Sequence, residues 1–218
     1  LFKTLEGDYL TISIHHLVVD GISWRILLED FIKGYFKATN HEEISFSDKT
    51  NSFKEWSQCL QVYANDKKVL KQLGYWKAVE NTEVKPLPVD NDISQNKHID
   101  GRDLEVLLSA EQTAKLLGQV NKAYNTNAEE VLLAALGLTF KKWTGESRVL
   151  VNLEGHGREE IIEGMDLART VGWFTTSYPV VLDVDKSYSI SDVLKNTKEM
   201  VRKIPDKGIG YGVLKYIT

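Results

Sequence analysis

The 218 residues are 42% hydrophobic and 10% aromatic, enough for a sizeable core in one large domain or two small lobes. Lys and Arg number 27 against 31 Asp and Glu, a net charge of −4 without any strongly basic stretch, so nucleic acid is not an expected partner. Apolar runs such as Val131 to Leu138 are too short to span a bilayer, and the single cysteine, Cys59, excludes an internal disulfide framework and fits a reducing, cytoplasmic compartment. No signal peptide is visible. Leu1 is not a start methionine and the chain opens almost directly into strand-like sequence, so a fragment of something longer is expected.

Tyr9 to Ile14 alternates: Leu10, Ile12 and Ile14 face one way, and Tyr9, Thr11 and Ser13 the other, which predicts a strand with one buried face. Asp20-Gly21 breaks it, and Ser23 is the expected N-cap of a helix to about Ala38, with Trp24, Leu27, Leu28, Phe31 and Tyr35 at helical spacing. Ser52-Phe-Lys-Glu55 has the capping-box pattern and predicts a second helix with Trp56, Leu60 and Tyr63 inward. A third is expected from about Asp66 to Val79, with Val69, Leu73 and Trp76 inward.

Residues 81–100 change character, with two prolines and many small polar residues, and read as a connection between two lobes. Leu104 to Leu108 predicts a short strand. Capping boxes at Ser109–Gln112 and Asn127–Glu130 open two more helices, the first to about Tyr124, the second apolar nearly all round and so expected to be buried between layers. Val149 to Leu153 reads as a buried central strand, 155–172 as a loop, Tyr178 to Val184 as a strand, about Ser191 to Lys203 as a helix, and "PDKGIGYG" as a flexible turn. Strands and helices thus mix on both sides of a polar hinge, predicting an α/β protein of two lobes.

Two segments hold residue types suited to proton transfer. In "HHLVVDG" a histidine at a strand end has a pKa near neutrality and a fixed position. Adjacent strand residues point to opposite faces, so one of His15 and His16 is expected inward and the other toward a cleft, if the strand persists through them. A buried histidine pair that only satisfies hydrogen bonds is the alternative. Asp20, near the helix start, is placed to cap orphan amides. In "NLEGHGREE" Glu154 follows the apolar strand and is flanked by Gly155, His156, Gly157 and Arg158. A carboxylate there suits a general base, whereas a surface turn with Glu154 and Arg158 paired is the commoner arrangement. The aromatics of "ARTVGWFTTSYPV", Trp173 among them, read as packing. "GIGYG" lacks the ending of a phosphate loop, no Gly-x-Ser-x-Gly elbow marks a hydrolase, and neighbouring histidines on a strand diverge too far for a metal site; no metal is expected.

Together, His15-His16-Leu-Val-Val-Asp20-Gly21-Ile-Ser23-Trp24 resembles the His-His-x-x-x-Asp signature of condensation-type domains of nonribosomal peptide synthetases. Its Ser-Trp ending, "EGHGRE" (Glu154 to Glu159), "RTVGWFTTSYP" (Arg169 to Pro179) and "PDKGIGYG" (Pro205 to Gly212) are similar, in order, to the epimerization branch. The resemblance implies a chloramphenicol-acetyltransferase-like fold: two α/β lobes in a V with a tunnel between them, each incomplete here. Residues 1–85 would belong to the first lobe, 86–100 to the connection and 101–218 to the second. It implies L-to-D inversion at Cα of an aminoacyl or peptidyl thioester on the phosphopantetheine arm of a carrier domain, with no cofactor bound by the domain itself. His16 and Glu154 match the active-site pair, one from each lobe. His15, Asp20, Gly21, Trp24 and Arg158 would support them, Arg158 by orienting Glu154, and His156, Gly157 and Trp173 would belong to a loop flooring the tunnel. An upstream peptidyl carrier domain and a downstream condensation domain or synthetase are the implied partners. A condensation-type acyltransferase forming an amide bond, and an inactive docking module of the same fold, are the alternatives. The family domain is longer than this chain; its late Asn-Tyr motif and the carrier serine fall outside it.

Overall fold

The computed structural model describes residues 1–90, 97–184 and 189–218; the middle of the expected inter-lobe connection, 91–96, lies outside the described residues. The chain opens on a hairpin of β1 (Phe2–Thr4) and β2 (Gly7–Tyr9), paired antiparallel with Phe2 opposite Tyr9. The strand expected over Tyr9 to Ile14 does not extend: residues 10–15 join no ladder, and Leu10 and Ile12 stay exposed. Alternation marks a face, but a strand also needs a neighbour for its backbone groups, and among the described residues none pairs there. A 3₁₀ turn follows at His16–Val18, then α1 (Gly21–Thr39). Its N-cap is Asp20 rather than Ser23: the Asp20 carboxylate accepts the Ser23 amide at 2.7 Å. The capping box of Ser52 and Glu55 opens α2 (Phe53–Tyr63) as expected. The expected third helix is two, α3 (Lys67–Leu70) and α4 (Leu73–Glu80). They break where the Gln72 amide donates to the Val69 carbonyl and its side chain donates to Asp206.

Leu104 to Leu108 is likewise no strand, and Leu104 and Val106 are more than 80% exposed. The Ser109–Gln112 box opens α5 (Ala110–Lys115), which runs through one π turn at Leu116–Val120 into α6 (Asn121–Tyr124) and ends on left-handed Asn125. α7 (Ala128–Thr144) starts on the Asn127–Glu130 box. It is not covered all round: Glu130, Leu133, Ala134 and Gly137 form one buried stripe, while Leu132 and Trp143 are exposed on the rest. β3 (Arg148–Gly155) pairs with β4 (Thr176–Asp183) in a two-stranded sheet. β3 is thus not the doubly buried central strand of the sequence reading, and exposed residues alternate with covered ones along it. α8 (Ile190–Arg202), capped by Ser189 and Asp192, leads to a turn at Pro205–Gly208 and α9 (Ile209–Tyr216). The expected flexible "PDKGIGYG" turn is therefore half helix, with Gly208, Ile209 and Gly210 buried.

Contacts divide the chain into two compact units: Leu1–Leu73, Glu154–Tyr178 and Asp206–Thr218 in the first, Gly74–Leu153 and Pro179–Pro205 in the second. The core of the first joins Trp56, Leu167, Phe174 and Ile209 to a cluster of Tyr63, Ala64, Val69 and Val213. Each large side chain so buried contributes roughly 1.5–3 kcal/mol. The core of the second unit is built on Ala134, Val184 and Val193, with Leu138 and Leu194 packed against them.

Candidate active site

His16 and Glu154 both lie in the first unit, and both are exposed. By sequence they fall in 1–85 and 101–218; by contacts one body holds them. His15 and His16 separate through the 3₁₀ turn, not through a strand pleat. The His15 Nδ1 accepts the Leu17 amide at 3.1 Å and so caps the turn. The His16 ring meets the Trp173 ring edge-on, centroids 5.9 Å apart. Gly21 is the first residue of α1, and a Cβ there would meet nothing within 4 Å. Trp24, half-buried, donates its amide to the Asp20 carbonyl in the first turn.

Asp20 and Arg158 form a buried ion pair, each side chain 6% exposed. The Arg158 Nη2 donates to both Asp20 carboxylate oxygens, at 3.1 and 3.2 Å, and to the Ser23 Oγ at 3.1 Å. Its Nη1 donates to the Leu167 and Thr170 carbonyls at 2.8 and 2.7 Å, and its plane lies 4.0 Å over the Phe174 ring. The Ser23 hydroxyl donates to the Gly172 carbonyl and accepts the Gly172 amide, and Asp20 also accepts the Phe174 amide. The loop 156–175 between β3 and β4 is thus hung on the first turn of α1. Burial pushes the Asp20 carboxyl up, but its hydrogen bonds from Ser23 and Phe174 and the Arg158 charge outweigh this and hold it below its ordinary value. Among the described residues the guanidinium of Arg158 donates to these groups and makes no hydrogen bond to Glu154, so it anchors the loop.

Gly157 has a left-handed φ of 69°, and a Cβ there would lie 1.6 Å from the Phe174 carbonyl oxygen, so only glycine fits. The His156 Nδ1 accepts the Arg158 amide at 3.0 Å, and its Nε2 faces the Glu159 carboxylate at 3.2 Å. Thr170 donates to the Asn51 carbonyl and accepts from the Thr50 hydroxyl. Among the described residues no three His, Cys, Asp or Glu side chains gather as a metal centre would require. Sequence reading missed the part of Ser23, whose spacing signals only a cap, and of Phe174, which alternation marks only as packing.

The condensation-domain family model matches residues 1–218, the whole chain. The chain belongs to the condensation-domain family. This condensation-family chain is 49% identical to tyrocidine synthase 1 of Brevibacillus parabrevis over 219 residues, covering 20% of that protein. It is 48% identical to surfactin synthase subunit 2 of Bacillus subtilis (strain 168), covering 6% of it. Among solved structures it is similar to the epimerization domain from the third module of tyrocidine synthetase B, at 47% identity and TM-score 0.89, over 94% of this chain and 46% of that one. The first condensation domain of the CDA synthetase, at 17% identity and TM-score 0.70, shares the fold. The expected condensation-type, chloramphenicol-acetyltransferase-like α/β class therefore holds, and the chain carries about half of such a domain. Among the described residues no helix is long and apolar enough to cross a membrane.

Proposed function

We propose that this chain is part of an epimerization domain that inverts Cα of an aminoacyl or peptidyl thioester, carried on the phosphopantetheine arm of a carrier domain, from L toward an L/D mixture. The observation that carries the proposal is the tie between the two candidate segments. Asp20, four residues after His16, and Arg158, four residues after Glu154, share one buried ion pair. The exposed side chains of His16 and Glu154 are thereby offered from segments locked to each other. The 47% identity to an epimerization domain supports the same assignment.

The thioester carbonyl acidifies the α-proton. One of the two groups takes that proton, the electron pair moves onto the carbonyl oxygen as an enolate, and the other group delivers a proton to the opposite face. A histidine cation beside the enolate oxygen also stabilises it. No step calls for a cofactor bound by the domain. Partners of this reaction are an upstream peptidyl carrier domain and a downstream condensation domain or synthetase, in the cytoplasm, where the free Cys59 stays reduced.

Amide formation by a condensation-type acyltransferase is the second reading, with which the family model is equally consistent. It needs no second group across Cα. The test is to supply the full-length protein with an L-aminoacyl carrier, then hydrolyse the thioester and read the chirality of the released amino acid. A rising D fraction is expected. Unchanged chirality with amide formed on an acceptor carrier would establish acyl transfer, and neither product would indicate an inactive docking module.

A further inference from the structure

Two consecutive non-glycine residues, Asp206 and Lys207, are left-handed, with φ of 43° and 49°. L-residues avoid this conformation, and it persists only where the surroundings impose it. Here they do. One oxygen of the Asp206 carboxylate accepts the Tyr63 hydroxyl at 2.8 Å and the Gln72 side-chain amide at 2.7 Å. Burial and the Asp206 charge push the Tyr63 phenol up, so it remains a proton donor. The clamped turn does two things next to Glu154. Its Lys207 carbonyl lies 3.6 Å from where a Cβ of Gly155 would stand. Its Lys207 ammonium reaches Glu159 at 2.9 Å, and the other oxygen of Glu159 faces the His156 Nε2. His156 in turn receives the Arg158 amide on Nδ1, which leaves its proton on Nε2 toward Glu159.

We propose that Lys207, Glu159 and His156 form a positioning relay that fixes the backbone following Glu154; it rests on the assignment of Glu154 made above. The strained turn is the fixed end of this relay. None of the three touches the reacting atoms; they act by holding the segment that carries the base.

The test uses the full-length protein and an L-aminoacyl carrier, and reads α-proton exchange across carrier concentrations. Lys207→Met and Glu159→Gln are each expected to lower the saturating rate about 10- to 100-fold while the half-saturating concentration stays put. Combined, they should do no more than the worse single change, because both break one chain. Lys207→Arg should restore most of the rate. The Lys207 side chain is 73% exposed, so the thermal midpoint should hold in Lys207→Met and Lys207→Arg. Wild-type rates in both single variants would overturn the relay, as would a rate loss that tracks a fall in midpoint and resists the arginine. Glu154→Gln is measured alongside. If it is inactive while the relay variants are normal, only the relay fails; if it exchanges normally, the assignment of Glu154 fails and takes the relay with it.

Discussion

Replacing His16 with Ala, or Glu154 with Gln, is expected to cut α-proton exchange from a carrier-bound L-aminoacyl thioester by about 10²- to 10⁴-fold each, the usual contribution of a positioned acid or base. Inversion without a cofactor needs a group on each face of the stereocentre, so neither residue substitutes for the other. Both side chains are exposed, and among the described residues the ring of His16 meets that of Trp173 edge-on. Folding should therefore change little, and circular dichroism and the unfolding midpoint serve as controls. Gln keeps the shape of Glu and removes only its charge and basicity, so a loss in that variant reports proton chemistry. Exchange at the wild-type rate in either variant would refute the role given to that residue.

The second large effect is on stability. Arg158→Met should destabilise the domain by about 3–5 kcal/mol, read by urea unfolding, because it leaves Asp20 buried with its charge uncompensated. The same change removes the donors to the Leu167 and Thr170 carbonyls, which hold the loop. Asp20→Asn should cost a similar amount, about 3–5 kcal/mol, since an amide oxygen can still accept the Ser23 N–H but Arg158 is left buried without its counter-ion and the Phe174 N–H loses its acceptor. The pair also sets a pH dependence. The Asp20 carboxyl is held below its ordinary value in the folded state, so its contribution is fully present above that ordinary value, about 3.9. It is lost as the pH falls through the lowered folded value. Acid unfolding of the wild type should show this steepening below about pH 4, and Asp20→Asn should flatten it.

The parts of this fold that a reader finds in the sequence are those fixed by near neighbours. The boxes at Ser52, Ser109 and Asn127 each need only a side chain and an amide three residues on, and each forms where the pattern puts it. Strands at Tyr9 to Ile14 and Leu104 to Leu108 fail because a ladder is a non-local object: alternation supplies a face and no partner. The start of α1 is misplaced by three residues because Asp20 and Ser23 are both good caps, and the buried pair with Arg158 decides between them. At the candidate site the two motifs are legible by residue type. What joins them is not, since Arg158 meets Asp20 across 138 residues of chain. Nor does "PDKG" announce a clamped turn, because Tyr63 and Gln72, which impose it, lie far upstream.

The most direct measurement is isotopic. The full-length protein is placed in deuterium oxide with carriers loaded separately with the L- and the D-aminoacyl thioester, and the hydrolysed amino acids are analysed for hand and for label at Cα. Proton removal and return on two faces predicts that both reactions converge on one L/D ratio, with deuterium at Cα of the inverted product. Recovery of each enantiomer unlabelled and unchanged would contradict it.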